Sequence, residues 1–143
     1  MKMGDSIMTI AKDLKKQPWK FSIGDETQGI FRKLTEGITT RIFSGKNLML
    51  SIVKLEPNTA GTVHSHPEEQ WGVLLEGACV RIQGDEELTM KEGDFWYTPC
   101  GVSHGIRTGE TGATVLDVFS PPRNEYKKQG EGFSSSTLSN EKG

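Results

Sequence analysis

The sequence has little of what membrane, secreted and nucleic-acid-binding proteins need. Of its 143 residues only two are cysteines, Cys79 and Cys100, which is too few for a disulfide framework. No apolar run approaches the roughly 20 residues of a membrane-spanning helix, and the first residues carry no apolar core typical of a secretion signal. A net charge of -2 provides no basic field for nucleic acid. We therefore expect a reduced, soluble, cytoplasmic protein with neither a nucleic-acid nor a membrane partner.

The composition favours a turn-rich β fold. Hydrophobic residues make up only 34% of the chain, while glycine occurs 17 times and supplies corners between short strands. From Gln28 onward short apolar or alternating runs recur, each ended by a turn signal such as Glu76-Gly77. The nine runs are Ile30–Leu34, Arg41–Phe43, Leu48–Leu55, Gly61–His66, Gln70–Leu75, Cys79–Ile82, Glu87–Met90, Phe95–Thr98 and Thr114–Phe119. Strands this short, with no ordinary helix between them, predict an antiparallel sandwich or barrel.

The chain length fits one domain with two appended segments. Residues 1–20 carry a weak helical pattern that Pro18 closes, and we assign residues 1–27 to an N-terminal extension. The barrel is predicted over residues 28–126. After that point the composition turns polar, which predicts a flexible or surface-laid tail over residues 127–143, with only Phe133 and Leu138 as anchors.

The three histidines are the main candidates for chemistry. His64 and His66 lie two apart on a predicted strand, so their side chains leave the same face. His104 follows the Pro99-Cys100-Gly101 turn, where another strand is expected to begin. Imidazole is the commonest protein ligand for first-row metals. Taken alone, the pattern fits either a metal site or two surface histidines and one loop histidine.

Two spaced strings around these histidines decide in favour of the metal. The first runs from His64-Ser65-His66 through Gln70 to Gly77, and the second from Gly93 through Pro99-Cys100-Gly101 to His104. Their spacings match Gly-x5-His-x-His-x3-Glu-x6-Gly and Gly-x5-Pro-x-Gly-x2-His-x3-Asn, so the chain resembles the cupin superfamily. The resemblance implies an all-β fold, a double-stranded β-helix or jelly-roll barrel. It also implies one divalent transition metal ion (Zn, Ni, Mn or Fe) inside one mouth of the barrel.

The chain departs from the cupin pattern at three positions. Asn58 stands where the opening glycine would fall, and Thr108 takes the place of the final asparagine. Gln70 occupies the usual glutamate position, and strand alternation puts the neighbouring Glu69 on the opposite face. We therefore expect the ligands to be His64, His66, Gln70 and His104. Four uncharged ligands would leave the ion's full charge in the pocket, which strengthens it as a Lewis acid and favours an anionic substrate.

A closer resemblance lies at the end of the predicted barrel. The string from Val115 to Tyr126, with Asp117-Val118-Phe119-Ser120-Pro121-Pro122-Arg123 at its centre, is similar to the C-terminal segment of the small pectin-degradation cupins. Those proteins open the ring of 4,5-unsaturated monouronates to give linear keto sugars, and they share the glutamine ligand. The resemblance implies that Asp117, Phe119 and Arg123 face the substrate. Asp117 would move a proton, and Arg123 would hold the substrate carboxylate beside Phe119.

The residues alone leave other interpretations of this segment open. Both faces of the last predicted strand carry apolar residues, so Asp117 points either into the pocket or to solvent. Arg123 is either a carboxylate clamp or a surface arginine at the barrel rim. Rival activities for such a cupin are a dioxygenase, a lyase, a polyketide cyclase and a non-catalytic sugar-binding protein. By analogy with small cupins we also expect a homodimer that acts on a small-molecule substrate.

Overall fold

Nine strands and one short 3-10 turn account for the regular structure of the computed structural model, which describes residues 18–133. The strands are β1 (Ile30–Thr35), β2 (Ile38–Ser44), β3 (Met49–Leu55), β4 (Glu69–Gln83), β5 (Glu86–Lys91), β6 (Phe95–Thr98), β7 (His104–Arg107), β8 (Ala113–Ser120) and β9 (Gly130–Glu131). The 3-10 turn spans Asn124–Lys127. The fold is the predicted all-β jelly roll. Within residues 18–133, no helix has the length and apolar character needed to cross a bilayer.

Strand β4 organises the two layers of the fold. Its first half pairs with β8 and β6, and its second half pairs with β5 and β7. Outward from β8, the order continues through β3, β2 and β1 to β9. All of these pairings are antiparallel except that of β1 with β9. The site described below lies between the layers because β4 belongs to both.

The sequence predicted two strands where β4 is one. The turn signal Glu76-Gly77 is a bulge instead, since the register against β8 shifts between Leu74 and Glu76. Gly77 has a φ of 88°, and a Cβ there would lie 1.9 Å from the carbonyl oxygen of Gly112. Only glycine fits so close to the neighbouring backbone, and the strand therefore continues past this point.

The core fills the space between the layers with alternating residues. Val53 and Leu55 of β3, Leu74 of β4 and Val115 of β8 are all less than 6% exposed. Most of the remaining core comes from the same inward positions of neighbouring strands, together with Tyr126 and Phe133. This alternation is the reason a chain of modest apolar content still buries a continuous core.

The segment predicted as a strand over Gly61–His66 is irregular. Within it only His64 makes a β-bridge, with His104, and Ala60 just before the segment bridges Arg107. Its backbone is fixed at His64 by a reciprocal pair of hydrogen bonds with His104, both with a nitrogen to oxygen distance of 2.9 Å. The two histidines therefore face the same pocket without lying in a regular strand.

The two predicted appended segments are described to different extents. The predicted helix within residues 1–20 lies almost wholly outside the described residues, which begin at Pro18. In the segment assigned to a tail, β9 pairs with β1 and Phe133 is buried. Arg32 donates hydrogen bonds to the carbonyl oxygens of Gly132, Glu125 and Glu131 over 2.8, 2.8 and 2.9 Å. These contacts attach residues 125–133 to the barrel.

Candidate metal centre and its pocket

The three histidines converge on one point between the layers. His64 comes from the irregular segment, and His104 comes from the start of β7. The ring centroid of His104 lies 4.6 Å from that of His64 and 4.8 Å from that of His66. The potential ligand atoms of all three lie within 4.8 Å of one another. This grouping is close enough to serve a single ion.

The backbone fixes the tautomer of each ring. The Nδ1 atoms of His64, His66 and His104 lie 2.8, 3.0 and 2.8 Å from the carbonyl oxygens of Thr62, Glu68 and Val102. Because a carbonyl oxygen only accepts, each Nδ1 carries the proton and donates. Each Nε2 therefore keeps a free lone pair for a metal, the orientation that metal-binding histidines share.

Burial keeps the imidazoles uncharged at neutral pH. It lowers the pKa of His66 to about 4 and that of His104 to about 3, and it also lowers the pKa of His64. The positive charges of Arg123 and Arg81 add to the shift in His66 and His104 respectively. Neutral imidazole is the form that binds a metal, so protons compete little for this site near pH 7.

Gln70 places an amide oxygen beside the three imidazoles, as a candidate fourth ligand. It is 3% exposed, and its Oε1 lies 3.1 Å from Nε2 of His66. The tautomer just assigned makes both of these atoms acceptors, and two facing lone pairs repel unless a cation is shared between them. The donor set therefore fits a divalent ion. The neighbouring Glu69 is exposed, as strand alternation predicted.

Asp117 faces the same pocket from β8. Its neighbours in alternation, Val115 and Phe119, are 1% and 3% exposed, so this face of the strand points inward. The Oδ1 atom of Asp117 is buried and has no hydrogen-bond partner among the described residues. Burial raises the pKa of this carboxyl to about 6, and the positive charge of Arg81 opposes that shift.

Arg123 is buried rather than exposed at the barrel rim. It is 1% exposed, and its guanidinium carbon lies 4.0 Å from the Tyr126 ring and 5.3 Å from the Phe119 ring. Its Nε donates to Oε1 of Glu125 over 3.1 Å, and its Nη2 donates to the carbonyl oxygen of Phe133. Phe119 in turn lies edge-on to His66, with ring centroids 5.6 Å apart.

Three residues of the pocket were missed by sequence reasoning. Arg81 is 6% exposed and points inward from β4, a position that its alternation with buried Cys79 would have indicated. Glu68 was not among the predicted site residues, but its side chain is only 12% exposed and its Oε1 lies 3.5 Å from Nδ1 of His66. The Phe133 ring packs 4.8 Å from that of His64, a contact that no local pattern signals.

The cavity that these residues enclose is small. It measures about 40 Å³ and is bounded by His64, Gln70, Arg81, His104 and Asp117, with Phe119, Arg123, Tyr126 and Phe133 among the other lining residues. One buried water needs about 10–15 Å³, so the space holds roughly three water-sized groups. Pockets for organic ligands begin at roughly 300 Å³.

Two residues that depart from the cupin pattern, Asn58 and Thr108, connect the same two loops. Asn58 has a φ of 56° and is the sole non-glycine with a positive φ in residues 18–133. Asparagine tolerates this left-handed conformation in place of glycine. Its N–H donates to the carbonyl oxygen of Gly109 over 2.7 Å. Beside it, Thr108 donates from its hydroxyl to the carbonyl oxygen of Glu56 over 2.6 Å, so both positions tie the same two loops together.

Comparison with known proteins agrees with this fold. The family model described as a cupin domain matches residues 51–119. The pectin degradation protein KdgF of Dickeya dadantii (strain 3937) is 28% identical over 109 residues, which cover 75% of this chain and 97% of that protein. The solved structure of KdgF from Halomonas sp. is 30% identical with a TM-score of 0.65, covering 73% of this chain and 97% of that one.

A longer enzyme is also similar. Oxalate decarboxylase OxdC of Bacillus subtilis (strain 168) is 31% identical over 110 residues, which cover 70% of this chain. The chain spans only 28% of the length of that protein. Both KdgF matches, in contrast, extend over nearly the whole of the similar protein. This chain belongs to the cupin family, and within that family it resembles the pectin degradation proteins.

Proposed function

We propose that this protein is a metal-dependent enzyme that opens the ring of a small unsaturated uronate to give a linear keto sugar. One observation carries the proposal. Three neutral imidazoles and an amide oxygen converge within one pocket, and the Asp117 carboxylate, with a buried Oδ1 that lacks a hydrogen-bond partner among the described residues, faces them. The resemblance to pectin degradation proteins supports the substrate class.

His64, His66, Gln70 and His104 would hold the ion. A divalent transition metal ion bound there would act as a Lewis acid toward a substrate oxygen. The protein contributes the orientation of its ligands, because each Nδ1–H is already fixed by a carbonyl oxygen. Glu68 reinforces this at His66, where both its carbonyl oxygen and its carboxylate lie near Nδ1.

Asp117 would transfer the proton in this reaction. Ring opening is an isomerisation: a hydroxyl proton leaves as the ring carbon–oxygen bond breaks, and a proton is added to a carbon of the former double bond. One carboxyl group that accepts a proton and returns it balances both steps. With its pKa raised to about 6, Asp117 is suited to do both near neutral pH. Its Oδ1 has no hydrogen-bond partner among the described residues, while the side chain of Gln70 hydrogen-bonds to the carboxyl and acts against the rise in its pKa.

Phe119 and Arg123 would form the wall against which the substrate lies. Both line the cavity, and Phe119 also contacts the ring of His66. The cavity of about 40 Å³ does not hold a sugar as it stands. We infer that a uronate enters when the segment 123–133, which contributes Arg123, Tyr126 and Phe133 to the lining, moves away from the pocket.

The experiment is to add the purified protein to a freshly prepared 4,5-unsaturated uronate and to follow the loss of the double-bond absorbance. We expect loss much faster than the spontaneous rate, abolished by a chelator and restored by a divalent transition metal. A rate equal to the spontaneous one, with the sugar bound nevertheless, would indicate a non-catalytic sugar-binding cupin. A requirement for oxygen would contradict ring opening and favour a dioxygenase.

A further inference from the structure

Arg81 is a buried positive charge on the inner face of β4. It is 6% exposed, and its Nη2 donates to Oγ1 of Thr98 over 2.8 Å. Its guanidinium carbon lies 5.4 Å from the centre of the Trp96 ring. Its Nε is buried and has no hydrogen-bond partner in residues 18–133. A guanidinium in this position has donors left for a further acceptor.

Arg81 has no close carboxylate partner. Among residues 18–133, none of the ion pairs within 4.0 Å includes its guanidinium. Its hydrogen-bonded neighbour, Thr98, is neutral. The Thr98 hydroxyl donates its own hydrogen bond to Oε1 of Gln83 over 2.7 Å. Burial lowers the pKa of Arg81, and the charge of Asp117, which acts on this guanidinium without direct contact, raises it. A buried charge without a contacting counter-ion is costly, and an anionic ligand in direct contact would reduce that cost.

Arg123, by comparison, already has partners. Its Nε donates to Glu125, its Nη2 donates to the carbonyl oxygen of Phe133, and Oε1 of Glu68 lies 4.0 Å from its Nε. Two carboxylates thus neutralise this guanidinium. A substrate carboxylate would have to displace them before it could bind there.

The charges around the cavity leave room for one more anion. Arg32, Arg81 and Arg123 are matched by three carboxylates, those of Asp117, Glu68 and Glu125, so these side chains contribute no net charge. A divalent ion on the neutral ligands would add two positive charges. One substrate carboxylate would offset one of them, and Arg81 holds a donor without a partner among the described residues that could receive it.

We propose that Arg81 is the residue that binds the carboxylate group of the substrate, a role that sequence analysis assigned to Arg123. The inference deepens the proposed function and rests on it. Arg81 and Asp117 line the same cavity, each with one unpartnered polar atom. The substrate carboxylate would lie against Arg81, which leaves the neighbouring ring carbons within the reach of Asp117.

The test measures binding rather than turnover. Galacturonate and galactose have the same ring hydroxyls and differ at C6, where galactose has a hydroxymethyl group in place of the carboxylate. Neither contains the double bond that reacts. Their affinities for the metal-loaded protein are measured by calorimetry, with the metal content of each variant determined separately. Arg81→Met should weaken galacturonate binding about 10- to 100-fold, the loss typical of a hydrogen bond to a charged group. Galactose binding should not change.

Matched variants distinguish the loss of carboxylate binding from general effects of substituting a charged or buried residue. Arg107→Met removes an exposed arginine paired with Glu87 and should change neither affinity. Arg81→Lys should retain part of the galacturonate affinity, because it keeps the charge but loses the planar donors. If Arg81→Met does not fold, Thr98→Val loosens the guanidinium without removing it. That variant should weaken galacturonate binding more than galactose binding, whereas Thr40→Val at another buried threonine should not.

Several results would overturn the proposal. These are equal affinities of the wild type for the two sugars, no measurable galacturonate binding, or a carboxylate-specific loss in Arg123→Met and not in Arg81→Met. Failure of the proposed function is distinguishable from these outcomes. A carboxylate-specific loss in Arg81→Met, in a protein that opens no unsaturated uronate, supports Arg81 and removes ring opening.

Discussion

At the scale of single residues, the choice of Gln70 over a glutamate determines the charge of the site. Its Oε1 lies 3.1 Å from Nε2 of His66, where a carboxylate oxygen would fit equally well. Gln70→Glu should therefore bind the metal more tightly, because a charge-assisted bond replaces a neutral one. It should also slow ring opening, because the carboxylate cancels part of the ion's charge. Competition with a chelator measures the first effect and the uronate assay the second. Unchanged metal affinity would show that residue 70 is not a ligand.

A second pair of variants separates metal binding from proton transfer. His104→Ala removes a buried ligand and should lose the metal, as measured by elemental analysis. Asp117→Ala should keep the metal and lose turnover by about 100-fold or more, the contribution of a positioned acid or base. Full activity in Asp117→Ala would refute the proton-transfer role. Asp117→Asn is the conservative control, since it keeps the shape and cannot exchange the proton.

The buried titratable groups predict how the stability of the metal-free protein depends on pH. The pKa of His66 falls to about 4 and that of His104 to about 3, both below the usual 6.5. Between pH 6.5 and about 4 the unfolded chain binds protons on these rings that the folded chain does not, so acidification lowers the free energy of unfolding. Asp117, with its pKa raised to about 6, acts in the opposite direction between pH 6 and 4, but it is outnumbered.

Thermal unfolding in the presence of a chelator, from pH 7.5 to 4.5, measures this balance. The melting temperature should fall as the pH falls. His104→Asn should reduce the dependence of the melting temperature on pH, because it removes one of the two imidazoles that cause it. Asp117→Asn should steepen it, because it removes the group that binds a proton on folding. A melting temperature that rises on acidification would contradict the assignment of neutral buried histidines.

At the scale of elements, the pairing of β4 with β8 leaves no room beside Asp117. Gly72 is opposite Asp117 in the register, and a Cβ there would lie 2.7 Å from Asp117 Oδ1 and 2.4 Å from Trp96 Nε1. Gly72→Ala should push Asp117 out of position and lower turnover while the metal content stays the same. We also expect a loss of about 1–3 kcal/mol in stability, typical of an overpacked core. Gly109→Ala is the matched control, since nothing lies within 4 Å of its Cβ.

Motif spacing predicted the fold and the grouping of the three histidines, because it depends on residues close together in sequence. Strand boundaries were less predictable. Glu76-Gly77 looks like a turn in the sequence, and only the close approach of Gly112 makes it a bulge within β4. His64 and His66 share a pocket although the segment that carries them is irregular. Their convergence depends on the bridge to His104, which is a contact between distant residues.

The orientation of Asp117 and the burial of Arg123 could not be decided from the sequence. Both faces of β8 carry apolar residues, since Leu116 and Val118 alternate with the inward residues and are half-buried on the outer face. Arg123 is buried because Phe133, ten residues further on, folds back over it. Arg81 was missed for a different reason. An arginine in a strand is usually assigned to the solvent face, and its inward position follows only from alternation with Cys79.

At the scale of the whole molecule, the C-terminal segment links the stability of the barrel to access to its site. Arg32 of β1 donates to three carbonyl oxygens of this segment, and Phe133 lies against the ring of His64. The same segment therefore completes the core and lines the pocket. Under the proposed function, a substrate would break some of these contacts on entry, so tighter closure would stabilise the fold and slow binding.

Phe133→Ala tests this link directly. The side chain is 9% exposed, and its loss should cost about 3 kcal/mol, the low end for a buried phenylalanine. The cavity should open at the same time, so a chelator should remove the metal faster and the KM for a uronate should fall. Phe31→Ala, at a side chain 52% exposed on β1, should change neither stability nor access. A destabilised Phe133→Ala with unchanged chelation rate and KM would mean that the segment only completes the core, and that substrate reaches the histidines by another route.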